Sequence, residues 1–270
     1  MMSTNPDRPV PPRRSGFQIQ AAAIRALFLR ELQTRFGGYR LGYFWAIMEP
    51  GMHVLFMVLL LSTVMGRTIP GMSYGLFLVS GILPWFMFSN IITRALGAVS
   101  ANKGLFNYRP VKPIDAVIAR AALELSIYFW VYVVMLMVLA WMGEPVSMSN
   151  IPLLLLTWSM LWLLSFGISL VMMVLGHYSE EVSKVVSIAT RILYFTSGIL
   201  YSVHAIPQQY QIYVLWNPVL HAIEYIRHCI SPAYPADHIS LAYLTVTTIV
   251  MLFVGLLLYK YRERRMMTST

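Results

Sequence analysis

The sequence predicts an all-α integral membrane protein: six transmembrane helices with both termini cytoplasmic, an N-terminal interfacial helix, and an external re-entrant helical hairpin between spans five and six. Three observations predict this class. Of 270 residues, 58% are hydrophobic and 11% charged, with a mean hydropathy of +0.64, whereas a soluble domain carries about 25% charged residues. Several uncharged runs reach the ~20 residues needed to cross a ~30 Å hydrocarbon core. Lys and Arg gather between alternate runs, as they do in cytoplasmic loops. That placement accounts for the net charge of +9, so no nucleic-acid partner is expected.

The elements follow in order. Residues 1–16 are polar and proline-rich, with Pro6, Pro9, Pro11 and Pro12, and are expected to form a disordered cytoplasmic tail. Residues 17–40 are helical in composition but too polar to span. Phe28, Leu29, Leu32 and Phe36 recur at helical spacing on one face, with Arg30 and Gln33 opposite. Arg25 intrudes on the apolar side, where its stem can snorkel. This pattern predicts an amphipathic interfacial helix, broken by Gly37-Gly38. No cleavable signal peptide is expected, because the first apolar run follows a basic stretch of about forty residues.

Residues 41–270 are read as one transmembrane domain, with spans at about 44–65, 72–92, 116–142, 151–175, 182–203 and 239–259. The first carries Glu49-Pro50-Gly51 near its start, and the fifth holds Arg191. Between spans two and three lies the basic stretch from Ala101 to Pro113, with no catalytic pattern in it. Between spans five and six, Pro207-Gln208-Gln209 starts a short helical pattern that reaches Trp216. Asn217-Pro218 then offers an N-cap and a proline at the first helical position of a second short helix, which runs to about Cys229.

Charge placement decides how residues 207–229 are drawn. Six spans put inside seven Lys or Arg up to Arg40, five from Arg94 to Arg120, then Lys184 and Arg191, and four from Lys260 onward. Only Arg67 and Arg227 of the twenty fall outside. A seventh span would separate the two basic termini and set Glu224 and Arg227 against lipid. A broken hairpin is instead tolerated at membrane depth when protein or a wet cavity surrounds it.

Few residues carry chemistry. Glu49, one turn inside span one beside Pro50, reads as a charged group facing a pathway or headgroups, or as an interfacial carboxylate near Arg40. Arg120 and Glu124 are four residues apart and are expected to pair with each other. His221 and His228 stand seven residues apart, about 10.5 Å along a helix, too far to share one ion, and no metal site is expected. The single cysteine, Cys229, excludes an internal disulfide. Tyr201, Tyr210, Tyr213, Trp216, Tyr225 and Tyr234 crowd the hairpin, as belt residues or as surfaces for sugar rings. No lysine sits in a phosphate-binding loop and no hydrolase motif is present, so ATP-driven work would need another chain.

Several separated blocks resemble a known family. Leu41-Gly42-Tyr43-Phe44-Trp45-Ala46-Ile47-Met48-Glu49-Pro50 is similar to the start of span one in polysaccharide-exporting ABC type-2 permeases. So are Ser80-Gly81-Ile82-Leu83-Pro84-Trp85-Phe86 and the stretch from Phe106 to Pro113. Ser197-Gly198-Ile199-Leu200-Tyr201-Ser202 and the run from Trp216 to Glu224 add to them. The blocks most resemble the KpsM-like capsule exporters of Gram-negative bacteria, with the O-antigen exporters as near neighbours. The resemblance implies a homodimer in the inner membrane enclosing a channel, and two copies of a separate ATP-binding subunit that hold ATP and Mg. It also implies a lipid-linked polysaccharide substrate and a periplasmic adaptor, with no cofactor in this chain. On the same footing, Asn102, Lys103, Gly104, Leu105 and Phe106 would dock the ATPase, with Lys103 to Phe106 the contact itself. Arg40, Trp45, Glu49 and Pro50 would line the substrate's entrance. Tyr201, Tyr210, Tyr213, Trp216, Asn217, Pro218, Glu224 and Arg227 would form the channel and external gate. The rival readings are an ABC type-2 permease for drugs or small lipids, and a polytopic enzyme acting on lipid-linked sugars, which would need a His or carboxylate cluster at one membrane face.

Overall fold

A computed structural model describes residues 15–38, 42, 44–65, 69–106 and 111–268, the side chains of residues 62–65 and 268 excepted. The expected tail up to residue 14, Arg40, Arg67 and residues 107–110 lie outside the described residues. Among the described residues the chain forms nine α-helices. They are α1 (Gly16–Phe36), α2 (Phe44–Met65), α3 (Tyr74–Leu96), α4 (Pro113–Trp141), α5 (Ile151–Tyr178), α6 (Glu181–Thr196), α7 (Gln208–Val214), α8 (Pro218–Ile230) and α9 (Leu241–Thr268). A 3₁₀ segment, Ser100–Leu105, follows α3.

Local chemistry sets the ends. Ser15 opens α1 with a capping box: Gln18 N–H donates to Ser15 Oγ at 3.3 Å, and Ser15 N–H to Gln18 Oε1 at 3.0 Å. Gly37 closes it, its N–H on Gln33 O at 2.7 Å. Asp115 Oδ2 accepts from Lys112 N–H at 2.9 Å, so α4 starts at Pro113. Asn217 Oδ1 accepts from Val219 N–H at 3.0 Å and opens α8, with Pro218 next, where the sequence places that break.

Five helices, α2, α3, α4, α5 and α9, are long and apolar enough to cross a membrane. The stretch read as span five, residues 182–203, departs from expectation. Its helix, α6, has 16 residues and ends at Thr196, because Gly198 takes a left-handed φ of +66°. At 1.5 Å per residue α6 is about 24 Å long.

α3 is the centre of the bundle, with 83% of its apolar window buried, against 17% for α2 and for α9. It packs on α2, α4, α5, α6 and α8. α5 and α9 meet through glycine: a Cβ on Gly255 would stand 2.4 Å from Gly167 O. Such close backbone approach is how helices associate where lipid removes the hydrophobic drive. α1 lies against α4 through Leu27 and Phe28, while Leu29 is exposed. Its buried face also carries Glu31 and Arg35, which pair with α4, so the helix shows no clean apolar stripe.

Candidate functional site

The cations and carboxylates of α1, α3 and α4 converge at one end of the bundle, the basic end. Glu124 is 1% exposed, and its Oε1 takes Arg35 Nη1 at 2.6 Å and Arg94 Nε at 2.8 Å. Arg120, expected on Glu124, instead holds Glu31 Oε2 at 3.2 Å and donates to Arg94 O at 2.7 Å. The correction is geometric, since both residues face α1 and each finds a partner there. Three guanidiniums against two carboxylates leave this cluster with a positive excess.

Beside it opens a cavity of about 730 Å³, lined by Arg35, Phe36, Trp45, Met48, Glu49, Met52 and Arg94. It adjoins a second of about 320 Å³, reached past Glu49 and Pro50 and walled by His53, Phe86, Ser89, Asn90 and Tyr128. Trp45, Glu49 and Pro50, expected at an entrance, are thus brought together around a positively rimmed opening. Pro50 lies inside a continuous α2.

From the second cavity a polar strip runs along α3. Ser89, Asn90 and Thr93 line it on the α2 side or the α6 side, and Ser89 and Asn90 border both. On the α6 side a cavity of about 300 Å³ adds Thr190, Arg191, Tyr194 and Trp85. Asn90 Nδ2 donates to Tyr128 OH at 2.6 Å. This strip escaped the sequence reading. Its signal was there: Ser89, Asn90 and Thr93 recur at helical spacing within an otherwise apolar helix.

The stretch between α6 and α9 is built around a buried ion pair. Arg227 is fully buried on α8, its Nη1 donating to Glu224 Oε1 at 2.7 Å and to Gly198 O at 2.8 Å. Its Nη2 reaches Ile199 O at 3.2 Å and Phe77 O at 3.3 Å, and the guanidinium lies 3.4 Å from the Phe77 ring centroid. Tyr234 OH donates to Glu224 Oε2 at 2.7 Å and so accepts from Ser202 O–H, also at 2.7 Å. Burial, then the Glu224 carboxylate, holds the Tyr234 phenol well above its ordinary pKa. Gly81 is part of the fit, since a Cβ there would meet Arg227 Nη2 at 2.7 Å.

The other residues of this stretch divide cleanly. Tyr210, Tyr213 and Trp216 are exposed, Tyr201 is half-buried, and Asn217 Nδ2 donates to Ser197 Oγ at 2.8 Å. His221 uses both ring nitrogens: Nε2–H donates to Leu215 O at 2.8 Å, while Nδ1 accepts from Ser240 N–H at 3.0 Å. Among the described residues no group of three His, Cys, Asp or Glu could hold a metal ion.

In the 3₁₀ segment, Asn102 and Phe106 point inward. Asn102 pairs with Arg30 and donates to Ala98 O at 2.7 Å, while Phe106 packs with Val99, Val117 and Leu170. Lys103 and Gly104 face outward and Leu105 is half-buried.

Residues 22–231 match the family model of the ABC-2 type transporter. The chain is similar to the polysialic acid transport protein KpsM of Escherichia coli, 50% identical over 95% of this chain and 99% of that protein. It is 30% identical to the capsule polysaccharide export inner-membrane protein CtrC of Neisseria meningitidis serogroup A, over 88% of this chain and 90% of CtrC. The O-antigen export system permease protein RfbA of Klebsiella pneumoniae is 24% identical over 86% of this chain and 90% of its own.

Proposed function

Because the chain belongs to the ABC-2 type transporter family, we propose that it is the membrane-spanning channel subunit of an ATP-driven exporter of lipid-linked capsular polysaccharide, located in the bacterial inner membrane. One observation carries this: 50% identity to a polysialic acid transport protein, sustained over nearly the full length of both chains. Export of an O-antigen is the second reading, and it rests on the 24% match to an O-antigen permease.

In this reading the basic end faces the cytoplasm and six segments cross, α6 with the residues after Gly198 supplying the fifth. Two copies enclose the channel. The lipid-linked end of the substrate approaches Trp45, Glu49 and the Arg35–Arg94 rim, and the polymer passes over Ser89, Asn90, Thr93 and Tyr128. Weak contacts of hydroxyls and amides suit a sliding chain, which one tight site would stall. α7 and α8 form the external gate: Tyr210, Tyr213 and Trp216 face the polymer, and the Glu224–Arg227 pair holds the gate in place. The sequence has no phosphate-binding loop, so two copies of a separate subunit bind ATP and Mg and dock at the 3₁₀ segment. A periplasmic adaptor receives the product.

Deleting the gene is expected to strand polysaccharide in the cytoplasm, and the protein purified from its native membrane is expected to bring an ATP-binding subunit with it. Unchanged surface polysaccharide in the deletion strain sinks the proposal. A changed O-antigen with an intact capsule favours the second reading.

A further inference from the structure

Arg25 is a residue for which the export mechanism has no use. It stands at an open groove of about 500 Å³ between the first half of α1 and the start of α4, walled by Phe17, Ala21, Ile24, Phe28 and Ile118. That volume lies in the ~300–1,000 Å³ range of ligand pockets. Phe17 is 82% exposed at its mouth, a large apolar side chain with nothing among the described residues over it.

Charge and depth say what covers this groove. The later cations of α1 are engaged, Arg30 with Asn102 and Arg35 with Glu124. Arg25 is exposed and, among the described residues, has neither an ion pair nor a hydrogen bond. The carboxylates nearby are taken as well: buried Asp115 accepts from Gln20 Nε2 and Lys112 N–H, and Glu31 holds Arg120. Among the described residues the rim is therefore cationic with no free carboxylate. Val117, next to Ile118, packs with Met173 and Val174 of α5 and Tyr259 of α9, where the uncharged runs of both helices end. The groove thus opens at the boundary between hydrocarbon and headgroups.

We propose that the groove binds one anionic glycerophospholipid of the cytoplasmic leaflet, a placement that rests on the orientation proposed above. An acyl chain lies along Phe17, Ile24, Phe28 and Ile118. The Arg25 stem follows it, and the guanidinium meets the phosphate with charge-assisted hydrogen bonds. Anionic lipids are the abundant negative groups at that surface. A bound lipid would seat the first half of α1, whose other end carries Arg35 to the substrate's entrance.

The test uses native mass spectrometry of the full chain in detergent, given phosphatidylglycerol or phosphatidylcholine of identical acyl chains. Wild type is expected to retain phosphatidylglycerol about fivefold better, the scale of one cation at an anionic lipid surface. Arg25→Gln is expected to abolish that selectivity, and Ile118→Trp, which fills the groove, to lower retention of both lipids, with unchanged melting temperatures. Equal retention of the two lipids by wild type, or selectivity that survives Arg25→Gln, overturns the lipid site. Ala22→Cys, exposed on α1, separates the orientation: labelling from the periplasmic side overturns the leaflet assignment whatever the lipids do, whereas cytoplasmic labelling with lost selectivity overturns the lipid site alone.

Discussion

Arg227 is a charge that the interior tolerates because both of its terminal nitrogens are answered, while its buried Nε has no partner among the described residues. Two of its nitrogens reach a carboxylate and three carbonyls, and the Phe77 ring lies against the guanidinium plane. Removing one partner of a buried pair leaves an uncompensated charge, at a cost of about 3–5 kcal/mol. Arg227→Met is expected to lower the melting temperature of the detergent-purified protein by that scale of destabilisation, stranding Glu224 beside Tyr234. Adding Glu224→Leu should recover part of the loss, because no stranded carboxylate then remains beside Tyr234, though Gly198 O, Ile199 O and Phe77 O lose the Arg227 donor. If the single and double variants are equally stable, the clasp is not what holds the hairpin. This residue was legible only in part. The charge count set it in an external segment as an expectation, but its burial did not follow. The partners at Phe77 and Gly198 lie 150 and 29 residues away, beyond any local pattern.

Elements were more legible than pairings, for a physical reason. Hydrocarbon thickness dictates the length of an apolar run, so α2, α3, α4 and α5 fall close to the spans read from hydropathy, while α9 continues past its expected end into the charged residues from Lys260. α6 stops short of the expected span because the backbone turns at Gly198, although apolar residues continue past it. The Arg35–Glu124 contact joins residues 89 apart and left no periodic trace. A cost argument could have found it, since lone charges beside membrane spans must meet partners. The 3₁₀ segment shows what burial adds, dividing the expected docking contact into an anchor and a face. Phe106 is 8% exposed, so Phe106→Ala is expected to destabilise the fold by about 3–5 kcal/mol. Lys103→Glu reverses an outward charge and is expected to leave the melting temperature unchanged while weakening co-purification of the ATP-binding subunit. Undiminished co-purification with Lys103→Glu removes the segment from the docking surface.

At the scale of the whole molecule, the proposed topology has the chain cross between α5 and α9, and α6 is the element available. α5 ends at the basic end, where Tyr178 lies 5.4 Å from the Arg262 guanidinium of α9. α9 begins at Leu241, about 30 Å away at 1.5 Å per residue. α6 covers most of that distance. The residues from Gly198 to Ser202 complete it, with Ser202 bonded to Tyr234 beyond α8. Arg191 and Thr190 then face the α3 strip, while Val185, Ile188, Ile192 and Phe195 present an apolar stripe outward. Single cysteines test the path. Tyr213→Cys, on the exposed side of α7, is expected to react with a membrane-impermeant maleimide in intact spheroplasts, and Ala101→Cys only after permeabilisation. The native Cys229 should stay silent, since it is 2% exposed and burial pushes its thiol up to about 11, leaving little thiolate at neutral pH. If Tyr213→Cys and Ala101→Cys label from the same side, α6 does not cross. The gate residues would then lie on the ATPase side of the membrane, where they could not gate export.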